Sequence, residues 1–295
     1  MTIQKQNAST RALVLGGGGV TGIAWEVGVL TGLLEAGVVL HEADAVIGTS
    51  AGSFVGVALA SGYDMQKLFA AQAEAGGAEI PVAASEQIIA AWYRAFEIGG
   101  SDPQRVGAVF GAIAREHPEP VPVAQRRAVV EARLVTTEWP LTLQVTAIDA
   151  DTGQLHVFDR TSDISLIDAV SASGAVPGVW PLVHINGRAW IDGGMVSATN
   201  VHLADGYKRV VILAPMPTSH GSIPGAAEDV AAMSDNANVF LITPDEQSIE
   251  AIGPNPYDPA RRDAVATAGR AQGRSVAATI QAMWRPDAGH AKENP

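Results

Sequence analysis

Val46-Ile47-Gly48-Thr49-Ser50-Ala51-Gly52-Ser53 decides how the rest of the chain is read. The apolar run Ala45 to Ile47 has the character of the end of a buried strand, and the small and apolar residues from Ala51 to Ala60 that of a helix. Between them, Gly48-Thr49-Ser50-Ala51-Gly52 fits the pattern G-x-S-x-G. A strand that turns directly into a helix brings the flanking backbones together, and a Cβ at either glycine would collide. The serine is left in a strained turn with its hydroxyl off the top of the sheet. The free N–H groups and positive dipole end of the following helix point at the same place. A five-residue match alone also suits an ordinary small-residue turn. The strand before it and the helix after it favour a nucleophile.

Upstream, Arg11 to Leu15 reads as a short buried strand, Gly16 to Gly22 as a glycine loop, and Ile23 to Ala36 as a helix ended by Gly37. Ala12 to Leu34 is interrupted by a single charge, Glu26, and is long enough on paper to cross a bilayer or to imitate a signal sequence. Its seven glycines, four of them consecutive, argue instead for a strand, a loop and a buried helix. Residues 1–10 are polar and expected to be loose, as are 286–295.

Downstream, Asp64 is placed to cap a helix from Met65 to about Ala75. From there to Arg133 no strand is evident. Ser85 and Asp102-Pro103 look like helix starts, and Pro118, Pro120 and Pro122 mark a bend. Residues 64–133 are therefore expected to form a helical insertion. Trp92, Tyr93 and Phe96 concentrate aromatic surface there, either as core or as the wall of an apolar pocket. Strands are expected at Leu141 to Ile148, Leu155 to Phe158, Val183 to Ile185, Arg188 to Ile191, Val210 to Ala214 and Val239 to Thr243, with Asn186-Gly187 as a hairpin turn. Ser165 caps a helix to about Ser173, and Pro259 to Trp284 is one long helix or a pair. Strands alternating with helices, and no clear internal boundary, predict a single three-layer α/β/α domain over residues 11–285 with a mostly parallel sheet.

The 295 residues include no cysteine, which removes disulfides, thiol nucleophiles and Cys-metal sites and fits a reducing, cytoplasmic compartment. The formal net charge of −12 speaks against nucleic acid as a partner. Oligomeric state is not legible.

Gly17-Gly18-Gly19-Val20-Thr21-Gly22 also fits the dinucleotide fingerprint G-x-G-x-x-G. That use needs an acidic residue at the end of the second strand, where Ile47-Gly48-Thr49-Ser50 has none; Glu42 and Asp44 precede the strand. A P-loop would need a lysine in the loop, and none is there. The other use is an oxyanion hole, because only glycines let backbone N–H groups approach a developing negative charge that closely. Adjacent parallel strands end on the same side, so this loop and Ser50 are expected to share a site. No cofactor and no metal is expected.

A serine hydroxyl needs a base. Of the seven histidines, His156, His184, His202 and His220 follow Ser50, and no sequence context singles one out. Asp192-Gly193-Gly194 is better placed, at the end of the second hairpin strand with glycines that permit close approach. In this order, the Gly17 to Gly22 loop, the Gly48 to Gly52 turn and Asp192 to Gly194 resemble the three motifs of the patatin-like phospholipase family. The segment Ala172 to Pro181 resembles the family's approach to the third, and the likeness extends roughly from Arg11 to Ala214.

The resemblance implies a serine lipid acyl hydrolase with a Ser50–Asp192 dyad and no catalytic histidine. It implies an oxyanion hole from the N–H groups of Gly17, Gly18 and Gly19 with that of Ala51, and structural roles for Gly22, Gly48, Gly52, Gly193 and Gly194. An aspartate with a pKa near 3.9 is a weak base at neutral pH, so the site is expected to desolvate it. Acyl transfer or thioester hydrolysis by the same residues, or lipid binding without turnover, are the alternatives. The expected partner is a lipid or small acyl ester, with transient contact to a membrane surface. One departure stands out: the family usually carries Arg or Lys before the loop's last glycine, and here it is Thr21. That weakens the expectation of a phosphate-bearing substrate.

Overall fold

The computed structural model describes residues 10–74, 79–117, 121–221, 223–233 and 237–284. The expectations for the two termini and for Pro118 and Pro120 lie outside these. The chain opens with β1 (Arg11–Leu15), α1 (Gly19–Glu35), β2 (Ala45–Thr49) and α2 (Ala51–Ala60). Four helices follow without an intervening strand among the described residues: α3 (Met65–Ala70), α4 (Glu86–Gly99), α5 (Pro103–Glu116) and α6 (Val123–Arg133). Then come β3 (Leu143–Asp149), β4 (Leu155–Phe158), α7 (Leu166–Ser173) and the hairpin β5 (Val183–Ile185) and β6 (Arg188–Asp192). The last part holds β7 (Arg209–Leu213), α8 (Ala226–Ala231), β8 (Asn238–Ile242), α9 (Glu246–Ile252) and α10 (Arg262–Trp284).

The eight strands form one sheet. Five of them, β3, β2, β1, β7 and β8, run parallel in that spatial order, while β4 and β6 pair antiparallel with β3. The register of β3 brings the functional segments together. Thr146 lies opposite Thr49 of β2, and the next residue, Ala147, lies opposite Asp192 of β6 and also His156 of β4. Because β4 overlaps both β2 and β6 along β3, those two must share its other edge. β6 therefore takes over where β2 ends, and Asp192 arrives beside the turn that carries Ser50.

β1, β2 and β7 are buried along nearly their whole length, as apolar runs covered by helices on both faces require. α1 is buried on nearly every side, because α2 and α10 both pack on it, and is apolar but for Glu26 and two threonines along its buried length. Its contact with α10 depends on small residues. A Cβ at Gly28 would lie 2.2 Å from the Ala266 carbonyl oxygen, and one at Gly273 would lie 2.3 Å from that of Val29. Trp25 in the same interface donates to Gln272 Oε1 at 2.9 Å. Side-chain caps set the helix starts: Asp64, Ser85, Asp102, Ser165 and Asp245 each accept from N–H groups of the first turn.

The architecture is the expected three-layer α/β arrangement, with four differences in detail. The glycine loop is shorter, because Gly18 O accepts from Gly22 N at 2.8 Å and Gly19 to Gly22 become the first turn of α1. α3 stops at Ala70. Pro122 directly precedes α6, where proline's fixed φ suits a helix entrance. The C-terminal segment is a short 3-10 turn, Pro259–Arg261, followed by one continuous helix. None of the described helices is long and apolar enough to cross a membrane.

Candidate active site

Ser50 sits at the junction of β2 and α2 with φ 51° and ψ −115°, a region that side-chain-bearing residues rarely occupy. Holding it there costs on the order of 1–3 kcal/mol. The flanking glycines explain how the turn is held. A Cβ at Gly48 would stand 2.7 Å from Gly52 O and Ser53 Cα, and one at Gly52 only 2.1 Å from Leu15 O. The Gly52 N–H donates to Gly16 O at 3.0 Å, tying the turn to the glycine loop, and Ser53 Oγ donates to Ser50 O at 2.6 Å. The Ser50 N–H donates to Ser173 Oγ at 2.8 Å, so Ser50 contributes its hydroxyl and not its amide to the site.

Asp192 is 2 % exposed at the end of β6. Burial pushes its carboxyl up to about 7, against the opposing effects of the Ser50 hydroxyl, the Gly194 N–H and the positive charge of Arg126. The Gly194 N–H donates to Oδ1 at 2.7 Å. Both glycines after Asp192 serve close approach: a Cβ on Gly193 would lie 2.4 Å from Thr146 Oγ1, and one on Gly194 3.1 Å from Asp192 Oδ1. Beneath this turn lies a buried polar lock. Asn200, itself at φ 52°, donates from Nδ2 to Thr49 Oγ1 at 3.0 Å and to Gly193 O at 3.1 Å, and the Thr49 and Thr146 hydroxyls meet at 2.8 Å. The ends of β2, β3 and β6 are thereby bound to one another, which fixes Ser50 relative to Asp192.

The glycine loop runs over Ser50. A Cβ at Gly17 would come into ordinary van der Waals contact with Ser50 Cβ, at 3.5 Å. The Gly17 N–H, however, donates to Ala198 O at 2.8 Å and is not available to a ligand. The N–H groups of Gly18, Gly19 and Ala51 have no acceptor among the described residues. Gly19, at φ 62°, is pressed against Pro256 and Tyr257. Gly22 faces Pro215 and the Cβ of Ala51. Thr21 is 1 % exposed and its hydroxyl is turned to the carbonyls of Pro256 and Gly18, away from any ligand.

Gly17, Gly18, Gly19, Ser50, Asp192 and Gly194 all line one cavity of about 430 Å³. Its remaining wall is mainly apolar, with Trp92, Tyr93 and Phe96 of α4 facing Met195, Met216 and Ile223. The aromatic cluster of α4 thus faces the pocket. Of the four histidines considered, His220 lines the cavity, while His156 packs edge-on against Trp190. Among the described residues no group of three or more His, Asp or Glu is arranged to hold a metal. Sequence reasoning assigns no role to three neighbours of the site: Ser173, which lies within the Ala172 to Pro181 segment, Asn200 and Tyr257. Their partners are 123, 151 and more residues away, so no local spacing reveals what they touch.

The site brings together a serine in a strained strand-to-helix turn, a buried carboxyl and free backbone N–H groups around an apolar cavity. The family profile for patatin-like phospholipase matches residues 13–205, and the chain belongs to that family. It is 31% identical over 201 residues to uncharacterized NTE family proteins of Mycobacterium bovis and Mycobacterium tuberculosis, across 68% of this chain and 29% of theirs. The chain thus spans under a third of the length of these relatives. Among solved structures it is similar to VipD from Legionella pneumophila, at 13% identity and a TM-score of 0.48, over 93% of this chain and 67% of that one. It is also similar to the type III effector ExoU of Pseudomonas aeruginosa, at 18% identity and a TM-score of 0.44, over 92% of this chain and 54% of that one.

Proposed function

We propose that this protein is a serine lipid acyl hydrolase that cleaves acyl esters with Ser50 as nucleophile and Asp192 as base, residues 11–285 acting as one hydrolytic unit. The observation that carries the reading is the pairing of Ser50 with a buried Asp192, whose carboxyl is lifted to about 7, on the floor of the apolar cavity. A carboxylate with a pKa near the working pH is a far better general base than a free aspartate.

In the first half-reaction the acyl chain lies along the α4 wall and the ester carbonyl carbon sits over Ser50 Oγ. Attack transfers the hydroxyl proton to Asp192 and places negative charge on the former carbonyl oxygen. The N–H groups of Gly18, Gly19 and Ala51 receive that oxyanion, each worth about 3 kcal/mol of barrier. Asp192 returns the proton to the departing alcohol, leaving Ser50 acylated. In the second half-reaction Asp192 takes a proton from water, which attacks the acyl carbon, and the acid leaves as Ser50 regains its proton. No histidine enters this scheme. The test is hydrolysis of p-nitrophenyl butyrate by the wild type and by Ser50→Ala. Loss of essentially all turnover with an unchanged circular dichroism spectrum is expected; wild-type turnover in Ser50→Ala would end the proposal.

A further inference from the structure

A second, narrower cleft adjoins the main cavity and shares Gly19, Ser50, Val176 and Tyr257 with it. Its far wall carries a cation. Arg126, on α6, is 6 % exposed, and its guanidinium lies over the Trp180 ring at 4.0 Å. Burial lowers its pKa to about 9, which still leaves it charged at neutral pH. The nearby carboxylates are otherwise engaged. Glu79 makes a two-pronged pair with Arg133, and Asp192 accepts from the Gly194 N–H beside the Ser50 hydroxyl. Arg126 has no carboxylate within ion-pair distance among the described residues, and its Nη1 is buried without any hydrogen-bond partner.

An unpaired buried charge is expensive and is kept where something else comes to satisfy it. The surroundings are shaped around this one. Gly174 has an ordinary φ of −105°, so its backbone does not demand glycine, yet a Cβ there would press on Arg126 Nη2 at 3.3 Å. The space in the cleft, about 20 Å³, admits a water-sized group. One oxygen of a ligand fits there while the rest of the molecule occupies the main cavity. Thr21 supplies no charge and points elsewhere. The cation that the glycine loop lacks is thus present beside Ser50, delivered by a different element.

We propose that Arg126 is a specificity residue that takes an anionic oxygen, phosphate or carboxylate, of an amphiphilic acyl ester or of its product, so that this site prefers charged over neutral lipids. The guanidinium offers directed N–H donors suited to such an oxygen. The inference rests on the acyl-hydrolase reading above, and the experiment separates the two.

Full-length protein is titrated with dodecyl phosphate, dodecanoate, dodecanol and inorganic phosphate, each below its aggregation concentration. Binding is read by tryptophan fluorescence and by inhibition of p-nitrophenyl butyrate turnover, in the wild type, Arg126→Met, Arg126→Lys and Arg127→Met, the half-buried neighbour that is ion-paired with Asp168 and Glu131. In the wild type the charged amphiphiles should bind at least tenfold tighter than dodecanol. Arg126→Met should lose that ratio, Arg126→Lys should keep part of it, and Arg127→Met should keep it whole. Weak binding of inorganic phosphate would mark a lipid-borne anion as the ligand; binding as tight as dodecyl phosphate would mark free phosphate, with the same residue as its receptor. Equal affinity for dodecanol and dodecyl phosphate in the wild type, or a ratio that survives in a folded Arg126→Met, overturns the proposal. Should Arg126→Met fail to fold, the wild-type ratio and its change in Arg126→Lys decide. Absence of turnover with the binding ratio intact would sink the hydrolase reading and leave the anion site standing.

Discussion

Replacing Asp192 by asparagine should make the protein more stable, and increasingly so as the pH rises. The carboxyl is about 7 in the folded protein and near 3.9 in an unfolded chain. Between those values the folded state holds a proton that the unfolded state has lost, so stability falls with rising pH. The contribution is fully present below about pH 4 and is lost as the pH climbs through 7. At pH 5 the aspartate costs about 1.5 kcal/mol relative to that limit, and at pH 8 about 4 kcal/mol. Asparagine has the same shape and no charge to desolvate, so its advantage should grow by roughly 2.6 kcal/mol between the two pH values. With about 2.1 cal/mol/K of unfolding entropy per residue, a 295-residue chain shifts its Tm by roughly 1.6 °C per kcal/mol. The Tm difference between Asp192→Asn and wild type should therefore widen by about 4 °C from pH 5 to pH 8. Other titrating groups, buried Glu26 included, cancel in the difference. A difference that does not change with pH, or that narrows, would refute the claim that a buried carboxylate faces Ser50.

The same carboxyl should govern the rate: kcat/KM for p-nitrophenyl butyrate should rise about tenfold per pH unit below 7 and level off above it, since only the deprotonated form accepts the Ser50 proton. Single alanine changes at His156, His184, His202 and His220 should leave most of kcat; a folded histidine variant as inactive as Asp192→Asn would mean a triad. His220, in the cavity wall, should affect KM more than kcat. Gly52→Ala drives a Cβ to 2.1 Å from Leu15 O and should cost on the order of 3 kcal/mol or more in a urea melt. Gly17→Ala, with 3.5 Å of clearance to Ser50 Cβ, should cost no more than about 1 kcal/mol.

The sheet could be read from the sequence because β1, β2, β7 and β8 are short runs rich in branched apolar residues between turn signals. The Ser50 turn and the Asp192 turn could be read because their glycines answer steric needs that a local motif records. The start of α1 could not. Glycines at 19 and 22 argue against helix by propensity, and they are present because Pro215 and Pro256, far away in sequence, press on that turn. Nor could Arg126 be told from Arg127: they are neighbours on one amphipathic helix. Packing against Trp180 buries the first, while the second pairs with Asp168 and Glu131 at the surface. Ser173 and Asn200 act on Ser50 and Gly193 through contacts that exist only once the chain is folded.

The central claim, that Ser50 is the attacking group and Asp192 its base, is tested most directly by covalent capture. Wild type, Ser50→Ala and Asp192→Asn would be treated with a fluorophosphonate and the adduct located by peptide mass mapping. A single adduct on Ser50 in the wild type, none in Ser50→Ala, and labelling slowed by at least a hundredfold in a well-folded Asp192→Asn are predicted. An adduct on another serine, or undiminished labelling of Asp192→Asn at pH 8, would contradict the account.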